Sequence, residues 1–487
     1  MSLAEVYDVV QSAWIEGRLE NVLQRQKELA GLHAALKNHR SGLIAAFSKD
    51  LCASEAGTSE EIELSLDAVK RLYEQLDFPS ALARERSVQA GQEAPLNPVA
   101  LGPVLIQAAL PCPLSSTIIP LAAAVAAGSC CLVLLCTASP SISQVLYNII
   151  QIGMDQEAIG IADFPIRLEW LSKLRFELAV LQDPASSHDF ATALRQTNSA
   201  IRIHTPATGL PAVFVDRSTP KLEKVATWLE QSILNAPRQH PGRMPRLCFV
   251  DEFVIEQLMS LMQRRLDTTE NVQAPMPNQS TATELVDLLV SSFPSLKKKE
   301  PLVAANKLSS LIVLQSTDSI NSETVGQVAN LVTKLYQGIL LIPTSSLDYG
   351  IDLWNKVNGG TPASATYVFG EGKETWYLSQ FLNSEHCFVN HIPPRSFVMI
   401  APSSTHDTFA LPFRPDEFSR NRAILQEPNQ NHVVSRNGWL NPKKIAQPTG
   451  GRLSYFEQGL IVGLSVTAIA ASGFVFAVFK GVKRIYY

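Results

Sequence analysis

Apolar residues recur at helical spacing among polar residues along the first part of the chain. Val6 and Val10 begin this pattern, which predicts helix through residues 1–47. A second helical stretch is predicted for residues 54–78, where Ser59-Glu-Glu-Ile is typical of a helix N-terminus. The N-terminal part of the protein is therefore expected to be mainly helical.

Short apolar runs separated by turns characterise the next part of the chain. Residues 101–143 read as strand, turn, helix, strand and turn, which is one half of a doubly wound α/β unit. Further strands are predicted at residues 176–181, 211–216 and 246–251. This alternation of buried strands and helices predicts an α/β fold with parallel sheets.

The longest apolar run lies near the C-terminus. Gly459 to Phe479 contains no charge, Asn, Gln or Pro, and about 20 apolar helical residues cross a hydrocarbon core of about 30 Å. Aromatic and basic residues flank the run, as they do in membrane helices. We therefore expect a transmembrane helix here, inserted after synthesis as a tail anchor.

Composition excludes some classes of function. Hydrophobic residues make up 46% of the chain, charged residues 18%, and the net charge is −4, which gives no reason to expect nucleic acid as a partner. Seven cysteines without repeating spacing indicate a reducing compartment and no disulfide framework. No metal site is expected, because His386 and Cys387 are neighbours in a predicted strand and point to opposite faces.

Several segments, in order, resemble the aldehyde dehydrogenase superfamily. Leu43-Ile-Ala-Ala-Phe-Ser-Lys-Asp-Leu resembles the start of its class 3 branch, which includes fatty aldehyde dehydrogenase. Gly102, Pro113, Pro120 and Ala126-Ala127-Gly128 fall in register with the family's first strand and helix. The resemblance covers about residues 40–425, and it implies an aldehyde dehydrogenase-like fold with a Rossmann-type cofactor domain and a second α/β domain.

The resemblance also implies the domain boundaries. The expected parts are N-terminal helices with a degenerate dinucleotide-binding-type domain at 1–205, a degenerate catalytic-type α/β domain at 206–402, a small C-terminal arm at 403–425, a linker at 426–458, the transmembrane helix at 459–479 and a basic tail at 480–487.

The family's three catalytic groups have no equivalent in the matching segments. The general-base glutamate falls on Pro206, the asparagine that stabilises the oxyanion falls on Pro111, and the nucleophilic cysteine falls on His240 or Gly242, depending on the register. A proline has neither a side-chain donor nor a backbone N–H with which to stabilise an oxyanion. The expected catalytic set is therefore empty.

The family's cofactor-binding groups are missing as well. The lysine that contacts the cofactor falls on Leu134, the glutamate three places on falls on Thr137, and the glutamate that holds a ribose hydroxyl falls on Thr333. Asp183 and Pro184 stand where small residues receive the pyrophosphate. A carboxylate there repels phosphate, so we expect no cofactor.

The sequence is consistent with two functions. In the first, the chain is a membrane-anchored, catalytically inactive pseudoenzyme that binds a ligand or pairs with an active partner. In the alternative, it is an NAD- or NADP-dependent oxidoreductase that oxidises long-chain aldehydes with a displaced nucleophile. Cys248 is the fallback nucleophile for that alternative, and Cys112 is a weaker one.

The resemblance extends to partners and location. It implies a homodimer, or a heterodimer with a related active subunit, and a lipid-like ligand in the former substrate tunnel. The membrane segment places the large domain on the cytosolic side. The endoplasmic reticulum is the expected membrane, with the peroxisomal and mitochondrial outer membranes as alternatives.

Overall fold

The computed structural model describes residues 2–51, 53, 55–92, 97–110, 112–183, 186–207, 209–234, 245, 247–268, 296–297, 302–303, 310–313, 315–316, 339–393, 413–425 and 459–473. Its contacts divide the chain into two units, residues 1–426 and 427–487.

Helices form the N-terminal part of the first unit, as predicted. They are α1 (Leu3–Ile15), α2 (Val22–Asn38), α3 (Arg40–Leu51), α4 (Glu55–Glu74) and α5 (Phe78–Gln89). The predicted helix over residues 1–47 is interrupted where Gly17 has a φ of +70°, and the side chain of Asn21 then caps α2 by accepting a hydrogen bond from Leu23 N.

The helix predicted over residues 54–78 is confirmed as α4 (Glu55–Glu74), but the N-terminal cap region expected at Ser59 is wrong. Helix α4 begins at Glu55, so Ser59 lies inside its second turn rather than at its N-terminus. Thr58 and Ile62 are already buried, and this tertiary packing extends the helix beyond the boundary that the local sequence signals.

A five-stranded parallel sheet follows the helices. The elements of this region are β1 (Pro98–Ala100), β2 (Val104–Gln107), α6 (Ser115–Ala127), β3 (Cys131–Leu134), α7 (Pro140–Gly153), β4 (Ile159–Ala162), α8 (Leu168–Leu171), β5 (Leu178–Leu181), α9 (Ser187–Thr197) and β6 (Arg202–His204). The strand order is β4-β3-β2-β5-β6, which confirms the predicted doubly wound unit.

The second sheet has seven strands. Its region comprises β7 (Ala212–Val215), α10 (Leu222–Leu234), β8 (Leu247–Asp251), α11 (Ile255–Thr268), β9 (Leu296–Lys297), β10 (Leu302–Val303), β11 (Ser310–Val313), β12 (Gln315–Ser316), β13 (Leu340–Thr344), α12 (Leu347–Val357), β14 (Thr366–Phe369), α13 (Gly372–Phe381), β15 (Cys387–Val389) and β16 (Ser419–Asn421). The order is β10-β11-β13-β8-β7-β14-β15, and β10 alone among these strands runs antiparallel to its neighbour.

Two layers of apolar side chains cover the first sheet. Val104 and Ile106 of β2 pack into the cluster that contains α6 and the N-terminal helices. Leu105, one residue between them, packs on the opposite face with Ala191 and Leu194 of α9. Because side chains alternate along a strand, β2 is covered on both faces, as expected for a parallel sheet.

Helix α6 is held at its C-terminal end by a half-buried cation. The Arg25 guanidinium donates to the carbonyl oxygens of Ala126 at 3.0 Å and Ala127 at 3.4 Å. Burial lowers the pKa of Arg25, but a cation at this end of a helix compensates the partial negative charge of the unpaired carbonyls. The N-terminal helices therefore anchor the helix on which the sheet is packed.

The second unit contains a helix over residues 459–473. Its large apolar side chains are exposed, including Leu460, Val462 and Ile469. Within the described ranges, no helix combines the length and the apolar character needed to cross a membrane.

Candidate functional site

The candidate site is the crevice at the carboxyl ends of β2 and β5. These strands are neighbours in the sheet, and the order of the strands reverses between them. The chain continues from β2 into α6 on one face and from β5 into α9 on the other. Open parallel sheets bind ligands at such a switch point, because the loops diverge there.

Two glutamines tie this crevice together. Gln107, at the end of β2, donates through Nε2 to Ser186 Oγ at 2.8 Å. Gln182, directly after β5, donates through Nε2 to the carbonyl oxygen of Ser116 at 2.5 Å. Each glutamine thus bonds to the helix that follows the other strand, and the two hydrogen bonds link both sides of the switch point.

A carboxylate lies at the N-terminus of α9. The hydroxyl of Ser186, the residue before α9, donates to Asp183 Oδ2 at 2.5 Å, while Ser187 N donates to the Asp183 carbonyl oxygen at 2.9 Å. Helix N-termini attract anions through their free N–H groups and the helix dipole. The Asp183 carboxylate lies beside the start of α9, joined to it through the Ser186 hydroxyl.

A second carboxylate lies at the N-terminus of α6. Glu61 of α4 accepts through Oε1 from the backbone N–H of Leu114 at 3.1 Å and of Ser115 at 2.8 Å. Burial of this carboxyl raises its pKa to about 7, and the hydrogen bonds from Ser115 and Leu114 oppose the shift. Glu61 therefore accepts from the first N–H groups of α6, whereas the Asp183 carboxylate contacts the hydroxyl of the residue before α9.

Cys112 lies beside Glu61 and is buried. Burial raises the pKa of its thiol well above the usual range, and the negative charge of Glu61 raises it further. A thiol is nucleophilic only as the thiolate. The surroundings of Cys112 therefore suppress the reactive form of this weaker fallback nucleophile.

Comparison with solved structures identifies the architecture. AldH from Staphylococcus aureus, in a substrate-bound state, is 15% identical with a TM-score of 0.68, and the match covers 88% of this chain and 95% of that one. Aldehyde dehydrogenase 21 from Physcomitrella patens, in complex with the product succinate, is 13% identical with a TM-score of 0.65, over 88% and 91% of the two chains. This chain has the aldehyde dehydrogenase fold.

A third solved structure is relevant to cofactors. The glyceraldehyde-3-phosphate dehydrogenase GapN from Methanocaldococcus jannaschii, complexed with NADP, is 12% identical with a TM-score of 0.63, over 86% of this chain and 93% of that one. No protein-family model and no curated protein matches the sequence. At these identities the likeness establishes the aldehyde dehydrogenase fold.

Leu134, which the resemblance in sequence aligns with the family's lysine, is buried at the end of β3. Its side chain packs with Leu132 and Leu181 in the cluster on the α9 face of the sheet. This position of the aldehyde dehydrogenase fold thus contributes to the core and presents no cation toward the crevice.

Cys248 lies in the middle of the second sheet of the aldehyde dehydrogenase fold. Strand β8 runs between β7 and β13, and Cys248 is paired with Val213 and Leu341. The side chain is 0% exposed, and burial raises the pKa of its thiol far above the ordinary value. A carbonyl substrate cannot reach this sulfur without opening the sheet's apolar layer.

The remaining positions named from the sequence divide into two groups. Pro206 and Thr137 are described: Pro206 is buried just after β6, and Thr137 is exposed in a turn after β3. The others lie outside the described residues: Pro111, Pro184, His240, Gly242 and Thr333. Among the residues that the structure describes, no three His, Cys, Asp or Glu side chains are grouped so that they could hold a metal ion.

Sequence reasoning missed the residues that close the crevice. Glu61 lies more than 50 positions before the helix that it caps, and no local pattern indicates that contact. Gln107 and Gln182 are weakly indicated by the sequence, since each is the first polar residue that follows a run of buried apolar residues in a strand. Polar residues at that end of parallel strands are the ones that face a switch point.

Proposed function

We propose that this chain is a membrane-anchored, aldehyde dehydrogenase-like pseudoenzyme that acts by binding a ligand or by pairing with an active partner. In this proposal it neither holds NAD or NADP nor oxidises aldehydes. The observation that carries it is the crevice at the ends of β2 and β5, where the Asp183 carboxylate accepts from the hydroxyl of Ser186, the residue before α9.

A dinucleotide does not fit the residues of this crevice. Its pyrophosphate would meet the Asp183 carboxylate at the helix terminus that would otherwise attract it. The two glutamine hydrogen bonds span the space between α6 and α9. Leu134 supplies no cation to balance the phosphate charge. All three features disfavour the binding of a dinucleotide.

The two cysteines considered as nucleophiles support the same proposal. Cys112 and Cys248 are both buried, and burial raises both pKa values. The alternative, an oxidoreductase that attacks long-chain aldehydes with Cys248, requires a thiolate on the surface of a tunnel. The packing of β8 between β7 and β13 supplies neither the charge stabilisation nor the access.

Titration of the full, detergent-solubilised chain with NADPH tests this proposal. We expect no saturable change in NADPH fluorescence up to about 1 mM, a range in which enzymes commonly bind their substrates, and no NAD(P)H formation from long-chain aldehydes. The structurally similar GapN, which was solved in complex with NADP, provides the positive control. Saturable binding together with aldehyde turnover that disappears in Cys248→Ala would establish the alternative and overturn the proposal.

Membrane anchoring by residues 459–479 is part of the proposal. It is supported by the apolar run in the sequence and by the exposed Leu460, Val462 and Ile469 on the described helix. Exposed apolar side chains on every turn are stable only when lipid or another apolar surface covers them. The resemblance to fatty aldehyde dehydrogenase favours the endoplasmic reticulum and a dimer.

Alkaline carbonate extraction of membranes tests the anchor. The full chain is expected in the membrane pellet, and a chain ending at residue 458 is expected in the supernatant, because it loses the apolar run. A chain ending at residue 479 lacks only the basic tail and serves as the matched control, expected to remain in the pellet. Equal extraction of all three chains would contradict the proposal that residues 459–479 anchor the protein in a membrane.

A further inference from the structure

We propose that His204 is an acid-sensitive latch, which holds residues 413–421 on the first sheet at neutral pH and releases them when its imidazole takes up a proton. His204 is the last residue of β6, the edge strand of that sheet. Residues 413–421, the arm segment, contain a short 3₁₀ helix (Pro415–Phe418) and β16. The proposed function makes no use of this contact.

The His204 ring packs against two phenylalanines of the arm segment. Its centroid lies 6.3 Å from that of Phe413, edge to face, and 6.5 Å from that of Phe418. The two phenylalanine rings are 5.9 Å apart, and both are buried in the cluster that contains α6. A neutral imidazole therefore forms the third ring of an aromatic contact between the sheet and the arm segment.

A second proton on this ring would have no partner on its buried side. The Nε2 atom is buried and, among the residues that the structure describes, has no hydrogen-bond partner. Both ring nitrogens of an imidazolium are donors, so protonation would leave one donor unpaired and a charge without water. Phenylalanine faces more than 6 Å away compensate little of that cost. The packed arrangement requires the neutral ring.

A fixed positive charge also opposes protonation. Arg202 lies two positions before His204 on β6, so the two side chains are on the same face of the sheet. Arg202 Nη1 donates to the Ser419 carbonyl oxygen of the arm segment at 2.9 Å. Burial lowers the pKa of His204, and the charge of Arg202 lowers it further. A proton on His204 would thus place a second cation beside the same segment.

Other charged groups near this contact do not supply a counter-ion. Helix α6 and strand β5 contain no charged residue, and Glu177, directly before β5, accepts from Gly102 N at 3.4 Å. The charged side chains of the arm segment are Arg414, Asp416, Glu417 and Arg420. Arg414 and Asp416 are paired with each other at 3.2 Å.

The arm segment is attached at the margin of the fold. The Phe418 carbonyl oxygen accepts from Leu101 N at 2.8 Å, and β16 pairs with the three residues of β1. Short elements of this kind open locally at a lower free-energy cost than the centre of a sheet. Their release at low pH would expose Phe413 and Phe418, which are buried in the closed state.

The Leu101 amide reports this release, because its hydrogen bond ends on the arm segment. In the open state His204 titrates near its ordinary value of 6.5, and in the closed state its pKa is lower. The closed state is therefore fully favoured above that value and loses stability as the pH falls below it. The hydrogen-exchange protection factor of Leu101 in the full chain in detergent should fall about threefold to tenfold from about pH 7.5 to about pH 5.5.

The Val104 amide is the internal reference, because it donates to the Cys130 carbonyl oxygen and not to the arm segment. Its protection factor should change less than about twofold over the same range. A Leu101 protection factor that stays constant relative to Val104 would overturn the inference, as would an equal fall at both amides.

Substitutions distinguish His204 from other titrating groups. His204→Phe keeps an aromatic ring without a titrating group, so Leu101 protection is expected to be the same at both pH values. His204→Gln, which also stays neutral, tests the same expectation with a smaller side chain. His188→Phe, at an exposed position on α9, is the matched control and should keep the wild-type fall. The wild-type fall in either His204 variant would exclude His204 as the latch.

Discussion

Replacing Gly31 by alanine is expected to lower the free energy of unfolding by about 3 kcal/mol. Helices α2 and α7 cross where Gly31 faces Gly153, and an added Cβ on Gly31 would lie 2.2 Å from the Gly153 carbonyl oxygen. The obstacle is backbone, so no side chain can rotate away. The two helices must separate, and buried contacts along both are lost.

Two other glycines serve as comparisons for the loss of stability expected in Gly31→Ala. A Cβ on Gly153 would lie 3.0 Å from the Gly31 carbonyl oxygen, so Gly153→Ala is expected to have an intermediate cost. Gly42 is also helical but has nothing within 4 Å of the added atom, and Gly42→Ala should stabilise by up to about 1 kcal/mol. Urea unfolding followed by circular dichroism measures all three, and equal stability of the Gly31 and Gly42 variants would contradict the close crossing.

Replacing Glu61 by glutamine is expected to stabilise the protein above neutral pH by up to about 3 kcal/mol. The folded-state pKa is about 7 against an ordinary value of 4.5. A carboxyl with a raised pKa binds its proton more tightly in the folded state, so its contribution to stability is complete below about pH 4.5 and is lost as the pH rises through 7. Glutamine stays neutral and still accepts from Leu114 and Ser115.

The quantity to measure is the difference in free energy of unfolding between the wild type and Glu61→Gln. The stability difference should be small near pH 4.5 and should grow up to about pH 8, when urea unfolding is repeated at each pH. Glu63→Gln is the matched control, because Glu63 is on the same helix and is exposed, paired with Arg40 at 3.2 Å. Its effect should stay within about 0.5 kcal/mol. A Glu61→Gln difference that does not change with pH would exclude a buried ionisable carboxyl.

The fold was predictable because its strands are short, apolar and buried on both faces. Strand β2, helix α6 and strand β3 lie where the sequence from residue 101 onward predicts them. The pattern at 339–369 likewise gives β13, α12 and β14. Apolar runs of this kind are compatible with few folds, because burying a sheet on both faces requires helices above and below it.

The closure of the crevice could not be read from the sequence. The contact of Glu61 with Leu114, and that of Gln107 with Ser186, join residues separated by 53 and 79 positions. Such pairs depend on where the helices are packed, and no local periodicity encodes that. Asp183 is the exception, because a carboxylate shortly before α9 is visible in the sequence, and in the structure it accepts from Ser186, the residue before that helix.

Helix α6 depends on the segment before the first sheet at both of its ends. Glu61 from α4 accepts from its first N–H groups, and Arg25 from α2 donates to its last carbonyls. A fragment that begins at residue 98 would keep every strand of the first sheet, yet its most apolar helix would start and finish with bare polar backbone. The first 97 residues consequently behave as an obligatory part of this folding unit, and boundaries for soluble fragments or fusion proteins should be drawn outside them.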